Sequence, residues 1–314
     1  MTAVSFFGLE FYIDPVAFTL PIGENGWDVY WYGILIALGF LIAFLYGMNR
    51  AKHLGIDKDK LLDGVIITTP IAIICTRAYY IIFSDTVTFA DFFNFHDGGL
   101  AIYGGIIGAM IGAVISCKTR KLNLLDTIDL VAPGLFIGQA IGRWGNFFNQ
   151  EAFGTNTTLP WGMYSEGSSH STFQNGLSVQ MEGFDPSLPV HPCFLYEFIL
   201  CTIGFLILNY MLKRRAFKGQ LILSYGVIYG IGRGFIEGLR TDSLMLGNMR
   251  VSQVLSFLIA IVCAVLLITL YLKAKRKQSD SEEYKPILEE GIEDEAEEPL
   301  AETEEKEEEQ KIDG

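Results

Sequence analysis

Residues 29–48 read VYWYGILIALGFLIAFLYGM, twenty residues without one charged side chain. A helix of about 20 residues spans the ~30 Å of hydrocarbon in a bilayer, so this run predicts a transmembrane helix. No small-residue cleavage site follows the run, and we expect the helix to be retained. Six similar runs come later in the chain, and together they predict seven spans at residues 29–48, 64–83, 98–117, 130–148, 191–212, 220–237 and 251–272.

The composition agrees with an all-α polytopic membrane protein. Half of the 314 residues are hydrophobic and the mean hydropathy is +0.33, which argues against a water-soluble enzyme. Residues 280–314 carry 17 of the 36 acidic residues and three lysines, so that residues 1–279 have a net charge of +1 within a total of −13. We therefore predict a membrane domain over residues 1–279 and a disordered acidic tail over residues 280–314.

The positions of Lys and Arg predict the orientation of the helices. Residues 49–61, 118–129, 213–219 and 273–277 are rich in Lys and Arg, and such short loops lie on the cytoplasmic side. The segments 1–28, 84–97 and 149–190 have neither residue. The N-terminus is therefore predicted outside, the acidic tail in the cytoplasm, and residues 149–190 in an extracytoplasmic loop or small subdomain.

Three arginines lie inside predicted spans, near the outer ends of their helices. Arg77, Arg143 and Arg233 each cost at least ~2.5 kcal/mol on insertion scales, and such residues by default mark a functional site. The neighbouring helices bring further polar residues to the same level as Asn146, Asn149, Glu151 and Glu237, namely Tyr32, Tyr103, His191, Tyr196 and Glu197.

Simpler interpretations exist for some of these residues. A single arginine near a helix end, Arg77 above all, can extend to the lipid headgroups. Tyr32 and Trp31 can belong to an aromatic belt at the interface. His96 and His191 lie on different segments, and we expect no metal site. Glycines recur every four residues in the third and sixth spans, which predicts close helix packing there.

Arginines and asparagines around one cavity suit an anionic phosphodiester. The guanidinium group offers paired planar donors that match phosphate oxygens. For a cavity at the level of the outer leaflet, the abundant ligand of this kind is a phospholipid headgroup. The residues by themselves therefore predict a protein that binds an anionic lipid phosphate.

Residues 142–154, GRWGNFFNQEAFG, resemble the signature of the bacterial prolipoprotein diacylglyceryl transferases. Further motifs resemble that family in the same order along the chain: Trp31-Tyr32-Gly33, residues 97–105 (DGGLAIYGG), His191-Pro192, Leu195-Tyr196-Glu197, and Arg233 with Glu237 and Arg240. The resemblance runs from about residue 30 to 272 and leaves out the acidic tail.

The resemblance implies a transferase of the bacterial cell membrane. Such an enzyme moves the diacylglyceryl group of phosphatidylglycerol to the lipobox cysteine of a prolipoprotein signal peptide, which forms a thioether and releases glycerol phosphate. The implied partners are phosphatidylglycerol, the signal peptide and the bilayer. No metal, other cofactor or nucleic acid is expected.

The resemblance also assigns roles to residues. Arg143 is implied to bind phosphatidylglycerol and Arg233 to be the second arginine of the cavity. Tyr103 stands where some members have histidine, and it is expected to hydrogen-bond the phosphate or orient an arginine, while the thiol loses its proton to water, His191 or Glu151. The substrate site is expected to include Tyr32, Arg143, Asn146, Asn149, Glu151, Gly154, Glu237 and Arg240.

Other classes of function fit the sequence less well. An anionic lipid flippase or transporter would use the same arginines without breaking a bond, but the repeated Ile-Gly-Arg at 141–143 and 231–233 lies on helices of the same direction and gives no inverted symmetry. A membrane scaffold would not explain the intramembrane arginines. The predicted spans contain no serine–histidine pair or paired aspartates for proteolysis.

Overall fold

The computed structural model describes residues 2–22, 26–84, 87, 92–93, 99–165, 172–174, 177–179, 185, 187–241, 245–246 and 249–280. Seven long α-helices lie within these ranges: α1 (Trp31–Arg50), α2 (Lys58–Phe83), α3 (Ile102–Arg120), α4 (Leu124–Asn149), α5 (Cys193–Leu212), α6 (Gln220–Glu237) and α7 (Val251–Asp280). A 3-10 turn, Ala51–Leu54, follows α1. The acidic tail beyond Asp280 lies outside the described residues, as do His96, Asp97 and Gly98.

Six of the seven helices are long and apolar enough to cross a membrane, and the protein is a multi-pass helical membrane protein. The exception is α6, which has 18 residues and includes Gln220, Arg233 and Glu237. Large apolar side chains are exposed along much of the helical surface, for example Phe40, Leu206 and Ile261. Such a surface is suited to lipid and not to water.

Three helices begin four or more residues away from their predicted starts. The Asp57 side chain accepts hydrogen bonds from the Asp59 and Lys60 amides at 2.9 and 3.1 Å, so that α2 begins at Lys58 and not at 64. Asn123 caps α4 in the same way, which places its start at Leu124 and not at 130. The apolar pattern missed these polar first turns because a side-chain cap stabilises them. The third helix begins at Ile102 and not at 98.

The glycine repeats lie at two helix contacts, as predicted. A Cβ atom on Gly108 would come within 2.8 Å of the Ala72 Cα on α2, and one on Gly230 within 2.7 Å of the Ser256 carbonyl oxygen on α7. Backbone approach this close requires glycine. The helices therefore pack as the pairs α2–α3 and α6–α7, while α4 packs against both α1 and α5.

A compact core holds α4, α5 and α6 together. Phe136, Leu208 and Leu221 are fully buried there. At the amino end of α6 the buried Asp129 of α4 accepts hydrogen bonds from the amides of Gly219, Leu221 and Ile222 and from Arg215. This contact fixes α6 against α4 at the end opposite the three predicted site residues Arg143, Arg233 and Glu237.

Short strands precede α1 and connect the helices, and the sequence did not predict them. β1 (Thr2–Phe6) pairs antiparallel with β2 (Leu9–Ile13) and with β5 (Tyr164–Ser165), and β3 (Val16–Leu20) pairs with β4 (Trp27–Tyr30). The loop after α4 thus joins the N-terminal sheet, over a small apolar core that includes Val4, Phe147 and Phe194. Two further hairpins consist of β6 (Thr172–Gln174) with β7 (Leu177–Val179) and β8 (Met245–Leu246) with β9 (Met249–Arg250).

Candidate active site

Five charged side chains form one buried cluster near the carboxyl ends of α4 and α6. This arginine–glutamate cluster consists of Arg143, Glu197, Arg233, Glu237 and Arg240. Its centre is Glu197, which is 1% exposed and reaches Arg143 Nε at 2.8 Å, Arg233, and Arg240 at 3.6 Å. Arg233 also binds Glu237, and Arg240 Nε lies 3.9 Å from the same carboxylate.

The cluster carries a net charge of +1, because three guanidinium groups face two carboxylates. Buried charges are tolerated only when they are paired in this manner. The contact between Arg143 and Glu197 is close, yet neither Arg143 Nε nor Glu197 Oε2 is aligned for a hydrogen bond. Arginine is thus in excess among the five side chains of the cluster.

Arg143 is the member of the cluster that faces a large cavity. Its side chain is 22% exposed and donates a hydrogen bond to Asn146 Oδ1 at 3.0 Å. The cavity has a volume of about 560 Å³ and runs along α1 and α4. Among the described residues that line it, Arg143 is the one arginine, and it lies beside Asn146, Tyr32 and Tyr229. Arg233 does not line this cavity; it lies behind Glu197, held by two carboxylates.

Tyr229 of α6 closes the cavity on the side of the cluster. Its ring stacks on Tyr225 at 5.6 Å between centroids, and the Tyr225 hydroxyl accepts a hydrogen bond from Gln139 Nε2 at 2.8 Å. Gln139 also lines the cavity. The side chains of Gln139 and Tyr229 thus place polar groups next to Arg143, where they can hydrogen-bond a ligand.

Two asparagines connect Arg143 to the start of the loop after α4. Asn146 and Asn149 both donate to Glu151 Oε1, at 3.0 and 3.3 Å. Asn146 therefore accepts from Arg143 with its oxygen and donates to Glu151 with its nitrogen, which fixes the orientation of the amide. These hydrogen bonds link the Arg143 side chain to Glu151 through Asn146.

Gly154 lies where the loop after α4 meets the segment before α5. Its amide donates to the His191 carbonyl oxygen at 2.9 Å, and it forms a β-bridge with Arg240. A Cβ atom there would come within 2.7 Å of the His191 Cβ and 3.1 Å of the Leu239 carbonyl oxygen. Only glycine fits without a shift of the backbone, so Gly154 sets the position of the chain that carries Arg240.

His191 lines a different cavity from Arg143. This second cavity, also about 560 Å³, is bordered by Phe7, Trp161, His191, Leu195 and Tyr196 among others. His191 Nδ1 lies 3.0 Å from the Tyr196 hydroxyl, which also accepts from Trp161 Nε1 at 2.9 Å. Burial lowers the pKa of His191, which favours the neutral imidazole.

Tyr103 and Arg77 lie apart from the cluster. Tyr103 is the second residue of α3, is 54% exposed, and has its ring 6.2 Å from that of Tyr79. Its neighbour Ile102 lines the first cavity. Arg77 is buried and donates to the carbonyl oxygens of Phe92 and Gly99 at 3.1 and 3.0 Å. These contacts indicate a structural role for Arg77 in holding Phe92 and Gly99, which lie between α2 and α3.

The sequence pattern gave no role to two residues that the structure brings to the site. Glu197 stood among the polar residues at the same level, but nothing indicated that three arginines would share its carboxylate. Its signal was a glutamate in the second turn of an otherwise apolar helix. Tyr229 had no distinguishing signal in the sequence, because its position in an apolar helix does not reveal that it lines the cavity.

The sequence of the chain matches known proteins over most of its length. Residues 15–269 match the family described as prolipoprotein diacylglyceryl transferase. A phosphatidylglycerol–prolipoprotein diacylglyceryl transferase of Clostridioides difficile is 42% identical over 86% of this chain and 100% of its own length. Proteins of the same name from Finegoldia magna and Clostridium novyi are 40% and 42% identical, over 85% and 84% of this chain and 99% and 98% of theirs.

Proposed function

The chain belongs to the prolipoprotein diacylglyceryl transferase family, and from this we propose that Arg143 binds the phosphate of phosphatidylglycerol during transfer. The activity is that of a transferase in the first step of lipoprotein lipidation. The observation that carries the proposal is the place of Arg143, at the junction of a buried cluster of net charge +1 and a long apolar cavity. A phospholipid has the same division into a charged and an apolar part.

The reaction is a displacement at the glycerol carbon that bears the phosphate ester. The thiolate of the signal-peptide cysteine attacks this carbon, the carbon–sulfur bond forms, and the bond from carbon to the phosphate oxygen breaks. Glycerol phosphate leaves with one more negative charge than the diester had, and the thiol proton goes to a base. Positive charge fixed beside the departing oxygen stabilises this transition state more than the ground state.

Within this scheme Arg143 contacts the phosphate, and Tyr32, Asn146 and Tyr229 are neighbours that can hydrogen-bond it. Arg233 and Arg240 act through Glu197, whose carboxylate they share with Arg143, and Glu237 acts through its contact with Arg233. They are positioning residues, together with Asn149, Glu151 and Gly154. Proximity to the cluster also lowers the pKa of an approaching thiol, ordinarily ~8.5, so that a weak base suffices.

The base remains a choice between water, Glu151 and His191. Glu151 is exposed and already accepts from two asparagines. His191 faces the second cavity, so it can serve only if the thiol approaches from that side. Tyr103, half exposed on α3, is proposed to hydrogen-bond the phosphate or orient an arginine.

We place the protein in a bacterial cell membrane with all seven helices crossing it, the N-terminus outside and the tail in the cytoplasm. The basic loops at residues 49–61, 118–129 and 213–219 support this orientation. They lie next to the amino ends of α2, α4 and α6, which puts the arginine–glutamate cluster in the outer half of the membrane.

The test is transfer by the purified full-length protein in micelles that contain phosphatidylglycerol and a synthetic signal peptide with one cysteine. We expect the peptide mass to rise by one diacylglyceryl group. A peptide with serine in place of cysteine should remain unmodified, because an alcohol is a far weaker nucleophile than a thiol. Lipid translocation in vesicles without any change in peptide mass would instead support a transporter.

A further inference from the structure

The apolar part of the first cavity forms a groove that leads away from Arg143. The groove is lined by Ile36, Phe40 and Phe44 of α1 and by Val131, Leu135 and Gly138 of α4. Its far end is reached at Gly47 and Leu130. Leu130 is 13 residues before Arg143, so the groove extends about 20 Å along α4 at ~1.5 Å per residue.

The groove is at least as long as one acyl chain of a membrane lipid. The hydrocarbon of one leaflet is half of the ~30 Å core, or ~15 Å. The groove is therefore long enough for a complete acyl chain whose headgroup phosphate lies at Arg143. The polar end at Arg143 and Asn146 and the apolar remainder match an amphiphile and not a peptide segment with polar backbone groups along its length.

Gly138 has no side chain to fill the groove near its polar end at Arg143. The two helices touch closely at one level, where a Cβ on Gly39 would lie 3.3 Å from the Gly138 Cα. A Cβ on Gly138 itself would meet nothing within 4 Å, and Gly138 lines the groove. It lies five residues from Arg143, or about 7.5 Å along the helix. A larger side chain here would enter the groove without striking another part of the protein.

We propose that one of the two acyl chains of phosphatidylglycerol lies in this groove during transfer, and that Gly138 is a specificity-determining residue that admits chains of full length. This inference rests on the proposed function. The second chain stays in the surrounding lipid. Lipid tails are as apolar as the groove wall, so the groove selects by shape and length and not by hydrophobicity.

The experiment compares two donors, dipalmitoyl- and dioctanoyl-phosphatidylglycerol, at equal mole fraction in mixed micelles. An octanoyl chain is half as long as a palmitoyl chain, so it spans ~7 Å and ends near the level of Gly138. In Gly138→Leu we expect kcat/KM for the dipalmitoyl donor to fall about tenfold or more relative to the dioctanoyl donor, as for an overpacked site. Gly138→Ala, whose Cβ has open space, should show a smaller shift in the same direction.

The matched control is Ala37→Leu, which adds the same side chain to an exposed position of α1 that does not line the groove. It should leave the ratio between the donors unchanged. An unchanged ratio in Gly138→Leu, or an equal loss with both donors in Gly138→Leu and Gly138→Ala, would overturn the inference. If the wild type modifies no peptide with either donor, the proposed function itself fails, which is a separate outcome.

Discussion

Removal of Arg233 tests whether the arginine–glutamate cluster acts as one unit. Arg233 is 16% exposed and binds both Glu197 and Glu237, which are 1% and 3% exposed. In Arg233→Met the cluster changes from three arginines and two glutamates to two of each, and its net charge falls from +1 to zero. Glu237 loses its contact with Arg233 and keeps Arg240 Nε at 3.9 Å.

The expected cost follows from the burial of the two carboxylates. Removing one partner of a buried ion pair lowers the free energy of unfolding by ~3–5 kcal/mol. Because the Arg233 side chain is partly exposed, we expect the lower value. At roughly 2 °C per kcal/mol, the unfolding temperature in micelles should fall by about 6 °C. Arg233→Met/Glu237→Gln should recover part of this loss, because the second substitution removes the buried charge that lost its contact with Arg233.

The matched control is Arg120→Met. Arg120 forms an ion pair with Asp63 at 3.3 Å, but the two side chains are 44% and 41% exposed. Exposed pairs contribute ~0–1 kcal/mol, so this variant should unfold within about 2 °C of the wild type. Equal unfolding temperatures for Arg233→Met and the wild type, or no recovery in the double variant, would refute the cluster as a coupled unit.

Three further predictions concern residues around the cluster. Gly154→Ala should lower both the unfolding temperature and the rate of transfer, because its Cβ would lie 2.7 Å from the His191 Cβ and 3.1 Å from a carbonyl oxygen; a fully active, equally stable variant would contradict this. Tyr103→Phe should slow transfer by no more than about tenfold, the value of one hydrogen bond, with the pH–rate profile unchanged; a lost basic limb would make Tyr103 the titrating group. Because burial lowers the pKa of His191, the folded state prefers the neutral ring, and stability should decrease as the pH falls below ~6.5. The unfolding temperature of His191→Gln, measured by thermal scans, should therefore fall less between pH ~7.5 and ~5.5 than that of the wild type.

The helices could be predicted from the sequence because each apolar run is long and carries few charges. All seven predicted runs correspond to helices, and α6 agrees with its predicted bounds of 220–237. The largest errors in the helix starts fall at α2 and α4, where Asp57 and Asn123 cap polar turns that the apolar pattern does not include. The N-terminal strands were missed because their pairing with residues 164–165 joins segments far apart in sequence.

The site was only partly predictable for a related reason. The cost of a charge in a membrane identified Arg143 and Arg233 from the sequence. It could not tell that Arg143 faces the cavity while Arg233 is enclosed by Glu197 and Glu237, since this depends on how α4, α5 and α6 pack. Likewise, nothing in the sequence placed His191 on a separate cavity.

Arg143→Lys tests whether the guanidinium group of Arg143 binds the departing phosphate. The substitution keeps the charge of the cluster but removes the planar pair of donors that suits phosphate oxygens. Single-turnover transfer to the cysteine peptide should slow by about 100-fold, as when one transition-state donor is lost, while the unfolding temperature stays close to that of the wild type. Transfer by Arg143→Lys at the wild-type rate would contradict the account and place the phosphate elsewhere.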